Sequence, residues 1–322
     1  MLKIAIIAAS LSTPVAHPGL NDQFTTQSAP QKKDWARYLE ICFEMDHESS
    51  VGACTALIKK SPLSQKYIGL IHGYRGYAHL FNSDMEPAVD DFTIALSGKN
   101  KKPEFTNGRG MAYEKLGKLK LAMTDYSAAI KERPTYVQAY SNRGQLHHRM
   151  KNFDAAILDL QKAVALRPQN VSAYYQLGYT LHASGNYKKA IEIYTLGLKF
   201  DVSNAGLYAK RGLSHRWNGD VKSAIKDYTK AITIAPKDPV YYNNRAWAFM
   251  VVGKLNNGLQ DANRAIELDP QSSRSAAFYD TRAHIYEALG KKNKAIEDFK
   301  SAARVSPLKK YTEQLKKRGV KQ

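Results

Sequence analysis

The sequence predicts an all-α protein in which one helix-turn-helix repeat is stacked many times along the chain. Three observations lead to this prediction. The same residue pattern returns about every 34 residues between residues 69 and 309, small residues recur at two fixed positions, and a proline closes five of the repeats. Self-similarity at this period is typical of helical repeat arrays. Neighbouring repeats in such arrays bury a continuous core that one repeat could not form alone.

The spacing of small and bulky residues assigns them to two helices in each repeat. We number the positions of a repeat from 1 to 34, so that the small residue after a recurrent arginine is position 8. Positions 4, 8 and 11 share one face of the first helix, and positions 20, 24 and 27 share one face of the second. Position 8 holds Gly76, Gly110, Gly144, Gly178, Gly212, Ala246 and Ala283. Position 20 holds Ala88, Ala122, Ala156, Ala190, Ala224, Gly258 and Ala295.

This order of residues resembles the tetratricopeptide repeat family. The resemblance implies a right-handed α-solenoid of helix-turn-helix repeats, with partners bound in the concave groove that the first helices line. The register gives seven repeats within residues 69–309, and the last one starts three residues late. Their ranges are 69–102, 103–136, 137–170, 171–204, 205–238, 239–272 and 276–309.

The N-terminus has the features of a short export signal. Within residues 1–16, Lys3 supplies a positive start, residues 4–11 are apolar, and Pro14 and Ala16 lie where a processing site would fall. Residues 17–33 are polar and predict a linker. A disordered or helical N-terminus is the alternative interpretation.

The two cysteines fall in a degenerate leading repeat, residues 34–68. Carried back by one repeat, the register puts Cys42 at position 8 and Cys54 at position 20, where two helices approach most closely. We therefore expect a disulfide. The pattern also resembles the leading repeats of exported bacterial tetratricopeptide proteins, which implies a periplasmic or secreted protein. Two buried thiols in a cytoplasmic protein are the alternative.

The C-terminal residues 308–322 predict a cap helix. Leu308, Tyr311 and Leu315 recur at helical spacing, and lysine and arginine surround them. Terminal repeats need a polar outer face, which these residues would provide. A basic binding tail is the alternative interpretation.

A row of arginines at position 7 invites an interpretation as an anion-binding surface, but the sequence favours structural ion pairs. Each of these arginines is accompanied by an aspartate at position 23, and where Leu177 replaces the arginine, Ile193 replaces the aspartate. A direct pair that can be replaced as a whole by apolar residues explains this joint loss. The predicted pairs are Arg75 and Asp91, Arg109 and Asp125, Arg143 and Asp159, Arg211 and Asp227, Arg245 and Asp261, and Arg282 and Asp298.

By the same resemblance, positions 2, 5, 9, 12 and 13 of the first helices line the groove. The middle of this row combines aromatic side chains with hydrogen-bond donors and cations, the residue types favoured as binding anchors. The candidate partner-binding residues are His148, Arg149, Tyr175, Tyr179, His182, Arg216, Trp217, Asn243 and Trp247. For each of them, packing against the next helix is the alternative interpretation.

Other classes of function find little support in the sequence. It holds no glycine-rich phosphate loop, nucleophile elbow or HExxH motif, so we predict no catalytic residue, no metal ligand, no cofactor and no small-molecule substrate. The clamp by which some family members grip acidic chaperone tails is also missing. Asn142 and Asn244 match its central asparagine, but the flanking lysines and asparagine are absent.

The formal net charge of +19 bears on the partner. Basic proteins are attracted to acidic polymers and surfaces. The lysines are dispersed and no base-reading pattern recurs from repeat to repeat, which disfavours nucleic acid. No apolar run approaches the roughly 20 residues of a membrane span. We predict a non-enzymatic scaffold that binds a protein or peptide. A binder of an acidic envelope polymer or nucleic acid is the alternative, and so is an enzyme regulator that acts only in complex.

Overall fold

The described chain forms helices that pack in consecutive pairs. A computed structural model describes residues 29–44, 49–61, 63–98, 102–306 and 308–320, and these residues contain no strand. The all-α class predicted from the sequence is confirmed within these ranges. The predicted export signal, residues 1–16, lies outside them, as does most of the predicted linker.

The chain divides into two compact units, an N-terminal unit up to Leu166 and a C-terminal unit from Arg167. The first helix of the N-terminal unit starts at Ala29, inside the stretch predicted as a linker. The described helices of this unit are α1 Ala29–Glu44, α2 Ser50–Lys60, α3 Gln65–Asn82, α4 Met85–Ser97, α5 Pro103–Lys115, α6 Leu119–Glu132, α7 Val137–Arg149 and α8 Phe153–Leu166.

The C-terminal unit continues the same alternation of first and second helices. Its described helices are α9 Val171–Ala183, α10 Tyr187–Phe200, α11 Ala205–Trp217, α12 Val221–Ile234, α13 Pro239–Val251, α14 Leu255–Leu268, α15 Ser275–Ala288, α16 Lys292–Val305 and α17 Lys309–Lys317.

Local sequence explains where these helices begin and end. Pro103 and Pro239 occupy the first turn of α5 and α13, where a missing N–H costs nothing. The turn from α9 to α10 contains Gly185, whose φ of +82° lies in the left-handed region that favours glycine. Asn204 begins α11 by accepting a hydrogen bond from the backbone N–H of Leu207 at 3.0 Å.

In six of the seven repeats the helix pair closes around a small residue at position 8 and a large one at position 24, the exception being Ala246 with Ala262. The ring of Tyr194 fills the space beside Gly178, where a Cβ atom would lie 2.5 Å from the ring. Gly110 and Tyr126 make the same contact, at 2.8 Å. Because the large partner at position 24 is fully buried, these contacts fix how closely the two helices pack.

The two ends of the described chain are closed differently. At the N-terminal end, α1 and α2 are joined by a disulfide between Cys42 and Cys54, whose Cα atoms are 5.0 Å apart. At the C-terminal end, α17 covers the last repeat with the buried side chains of Tyr311 and Leu315. Among the described helices, none combines the length and the hydrophobicity that a membrane span requires.

Candidate functional site

The position 7 arginines lie inside the repeats, bound to aspartates. Arg143 donates from Nε and Nη2 to the two carboxylate oxygens of Asp159, both at 2.8 Å. The other five predicted pairs have the same two-bond geometry, at 2.7–2.9 Å. Burial opposes ionisation of Asp91, but hydrogen bonds from Arg75 and His72 outweigh it and lower the pKa of this carboxyl. These arginines are therefore occupied by structural partners.

A third hydrogen bond of each arginine joins consecutive repeats, which sequence analysis did not anticipate. Arg143 Nη1 donates to Ser127 Oγ of the preceding repeat at 3.0 Å, and Arg211 Nη1 donates to Thr195 Oγ1 at 3.0 Å. Both acceptors stand at position 25, where a small polar residue could have signalled the bond. The remaining acceptors are Thr55, Thr93, Thr229 and Asn263.

Two of the candidate partner-binding residues, His148 and Arg149, belong to the N-terminal unit. Arg149 Nη1 donates to Glu114 Oε1, and the other oxygen of Glu114 accepts from Tyr126 Oη at 2.8 Å. His148 packs edge-on to the ring of Phe153, with centroids 5.6 Å apart, and burial lowers its pKa. Arg149 is thus paired within its own unit.

The other seven candidates belong to the C-terminal unit, and most of them cluster there. The rings of Tyr175 and Tyr179 stack with centroids 6.5 Å apart and planes at 15°. Lys210 lies over both rings, its Nζ being 5.0 Å from the centroid of Tyr179 and 6.0 Å from that of Tyr175. Burial lowers the pKa of Lys210. Lys210 stands at position 6, so the sequence criterion of groove-facing positions missed it.

A second cation in this unit is sandwiched between aromatic rings. The guanidinium carbon of Arg216 lies 3.7 Å from the ring centroid of Trp247 and 5.6 Å from that of Trp217. Trp217 is 55% exposed and stacks on Tyr187. Trp247 is partly buried against Ala224, Tyr228 and Ala248. Part of this side chain therefore packs in the core, which is the alternative interpretation given above for each candidate residue. Burial lowers the pKa of Arg216.

His182 contacts the helix that carries both cations. Its Nδ1 is 3.0 Å from Ser214 Oγ, and Ser214 donates its own proton to the carbonyl of Lys210 at 3.0 Å. Nδ1–H therefore donates to Ser214. Burial, followed by the positive charges of Lys210 and Arg216, lowers the pKa of His182. We call Tyr175, Tyr179, His182, Lys210, Arg216, Trp217 and Trp247 the aromatic–cation cluster.

Three buried polar atoms of the C-terminal unit have no hydrogen-bond partner among the described residues. They are Tyr194 Oη, Tyr228 Oη and Asn243 Oδ1, the last belonging to a candidate partner-binding residue. Tyr126, at the same repeat position in the N-terminal unit, has its partner in Glu114. Within the described residues, no group of three or more histidine, cysteine, aspartate or glutamate side chains is arranged to hold a metal ion.

Comparisons with known proteins agree with the pattern of the repeats. A family model described as TPR repeat matches residues 110–151 and 150–185. A model described as tetratricopeptide repeat matches residues 171–201, 205–238 and 276–307. No curated protein sequence matches the chain significantly.

Solved structures share the fold. A tetratricopeptide repeat protein from Parabacteroides merdae is 21% identical, covers 79% of this chain and 98% of its own, and superposes with a TM-score of 0.61. MamA is 24% identical over 50% of this chain and 94% of its own, with a TM-score of 0.48. YrrB, a TPR protein with an unusual peptide-binding site, is 21% identical over 60% and 97%, with a TM-score of 0.47. At these identities the likeness concerns the fold alone. The chain therefore carries tetratricopeptide repeats, the family that its sequence resembles.

Proposed function

We propose that the protein is a non-enzymatic interaction scaffold that holds a protein or peptide partner on the aromatic–cation cluster. The observation that carries the proposal is the chemistry of this surface. Stacked tyrosines and two tryptophans stand beside Lys210 and Arg216, and no described carboxylate pairs with either cation. Tyrosine, tryptophan and arginine are the residues that most often anchor protein partners.

The cluster is also preorganised. Its side chains project from the regular helices α9, α11 and α13. Arg–Asp pairs hold α11 and α13, and α9 packs through Gly178 on the buried ring of Tyr194. Arg216 is already stacked on Trp247, so a partner would not have to immobilise it. Preorganisation lowers the entropic cost of binding. Tetratricopeptide repeats elsewhere in the family serve as scaffolds, and this supports a non-catalytic role.

We place the protein in the periplasm or outside the cell. The disulfide between Cys42 and Cys54 supports this location, because such bonds persist in oxidising compartments. The proposal is checked by intact mass and a free-thiol count on protein from its native host. We expect residues 1 to about 16 to be missing and both cysteines to be oxidised. An intact N-terminus with two titratable thiols would place the protein in the cytoplasm.

The binding face is tested with a photocrosslinking amino acid at one of two positions. Tyr179 lies in the cluster and is 39% exposed, whereas Leu196 lies on the neighbouring helix α10 and is 40% exposed. We expect a discrete adduct in the native host from position 179 and none from position 196. The same adducts from both positions, or none from either, would argue against this face.

A further inference from the structure

Two repeats of this chain have a glutamate at position 12, and in both the carboxylate accepts a hydrogen bond from an arginine. Glu114 accepts from Arg149 and from Tyr126 Oη. Glu287, at position 12 of the last repeat, accepts from Arg318 Nε at 2.6 Å and from Arg318 Nη2 at 2.7 Å. In both places a carboxylate of the protein neutralises a guanidinium on this face. Arg149 gives Glu114 one charge-assisted bond and Arg318 gives Glu287 two, and such bonds are stronger than those between neutral groups.

The three repeats that carry the cluster lack this carboxylate. Their position 12 holds His182, Arg216 and Met250. Tyr228, the position 24 tyrosine in the repeat of Arg216, has a fully buried side chain whose hydroxyl finds no partner among the described residues. Trp247, on which Arg216 stacks, packs against the buried cluster that contains Tyr228, so Arg216 and Tyr228 border the same side chain. The charge of Arg216 also lowers the pKa of that hydroxyl, against the larger effect of burial.

The orientation of Arg216 leaves its hydrogen-bonding edge available. Its flat face covers the ring of Trp247 at 3.7 Å. Stacking uses the face of a guanidinium, while the N–H groups point outward in its plane. Within the part of the chain that the structure describes, none of these N–H groups has an acceptor. Lys210 adds a second positive charge on the same helix, α11, over the ring of Tyr179.

Resting on the proposed function, we propose that the partner is an acidic peptide segment, one of whose Asp or Glu carboxylates binds Arg216 and accepts a hydrogen bond from Tyr228. The incoming carboxylate does for Arg216 and Tyr228 what Glu114 does for Arg149 and Tyr126. It also supplies the acceptor that a buried hydroxyl requires. The tyrosines and tryptophans around it hold the apolar neighbours of that residue.

The experiment begins with peptides selected from a random display library on the full-length protein. Each selected peptide is synthesised with acetylated and amidated ends, once as selected and once with its Asp and Glu changed to Asn and Gln. Binding is followed by tryptophan fluorescence, because two of the three tryptophans of the chain, Trp217 and Trp247, flank Arg216. We expect the amide peptides to bind about tenfold more weakly or worse.

Protein variants identify the side chains responsible. We expect Arg216→Gln to weaken the acidic peptides about tenfold or more and to leave the amide peptides unchanged. Lys222→Gln removes the same charge from an exposed site on α12 and should change neither. Tyr228→Phe separates ligand binding from folding. The free protein should be as stable as the original or more so, because the lost hydroxyl has no partner within the described ranges, while the acidic peptides bind more weakly.

The outcomes separate the two proposals. If no peptide is selected, the scaffold function and the acidic ligand both fail. Peptides that bind equally well as acids and as amides, or that bind the folded Arg216→Gln variant unchanged, overturn only the acidic ligand. A phosphoserine peptide or a single-stranded oligonucleotide that binds through Arg216 where acidic peptides do not would overturn it as well.

Discussion

Asp159 illustrates at the scale of single residues why the arginines of this chain serve stability. The carboxylate is 6% exposed and receives two hydrogen bonds from Arg143. Asp159→Ala would leave that guanidinium without its carboxylate, with Ser127 as the remaining acceptor, and we expect a loss of about 2–4 kcal/mol in the free energy of unfolding. Urea denaturation followed by circular dichroism measures the loss.

The matched control copies a substitution that the chain already contains. Leu177 and Ile193 occupy the positions of the pair in one repeat, and Leu177 is buried. The double variant Arg143→Leu with Asp159→Ile should therefore cost less than Asp159→Ala alone, since no buried charge loses its partner. Equal losses in the two variants would contradict a coupled pair.

His182 predicts how the C-terminal unit responds to acid. Burial and two neighbouring cations lower its pKa below the usual 6.5, so the unfolded chain takes up this proton at a higher pH than the folded chain. The free energy of unfolding should therefore decrease as the pH falls below about 6.5. An NMR titration of the ring checks the folded pKa, and a value at or above 6.5 would refute the prediction. The His182→Gln variant should lose less stability in acid.

Other histidines contribute to the same acid sensitivity. Burial is the first cause that lowers the pKa of His147, His148 and His215. For this reason the His182→Gln variant should reduce the pH dependence without abolishing it.

At the scale of elements, the distance between the two helices of a repeat is set by a glycine. Gly178→Ala in α9 would place a methyl group 2.5 Å from the buried ring of Tyr194. Overpacking of this kind costs about 1–3 kcal/mol. Thermal unfolding should show a lower midpoint than that of the original protein.

A second glycine serves as the control, because its exchange for alanine changes the helical preference without adding a close contact. Gly69 in α3 has no atom within 4 Å of an added Cβ atom. There the exchange for alanine should stabilise by about 0.5–1 kcal/mol, because glycine is unfavourable within a helix. If the unfolding midpoint of Gly178→Ala rises as that of Gly69→Ala does, the contact of α9 with Tyr194 does not limit how closely the two helices pack.

At the scale of the whole molecule, the sequence predicted the features that recur from repeat to repeat. Glycine, alanine and proline at fixed positions indicated the helices, and the joint absence of arginine and aspartate in one repeat indicated the ion pairs. The sequence did not predict the hydrogen bonds from Arg143 to Ser127 and from Arg211 to Thr195. Serine, threonine and asparagine can all accept such a bond, so no single residue type recurs at the acceptor position.

The sequence did not predict the roles of Lys210 and Tyr228 in the candidate site, for a different reason. Lys210 stands at a position assigned to neither the core nor the groove, and only its long side chain brings the charge over Tyr179. Position 24 holds a bulky side chain in most repeats, so the sequence indicates only a packing role for Tyr228. Among the described residues its hydroxyl has no hydrogen-bond partner, because position 12 of its repeat holds no acid; the comparison with Glu114 and Tyr126 makes this clear.

The disulfide of the leading helix pair has a consequence for how much of the chain is ordered. Helices at the end of a repeat array have neighbours on one side only, so they fray first. The bond between Cys42 and Cys54 joins α1 to α2 and opposes this fraying. We expect reduction of the bond by thiols to move the boundary of the folded region inward toward α3, which hydrogen exchange of α1 and α2 would measure. The number of ordered helices thus becomes a function of the redox potential of the surroundings.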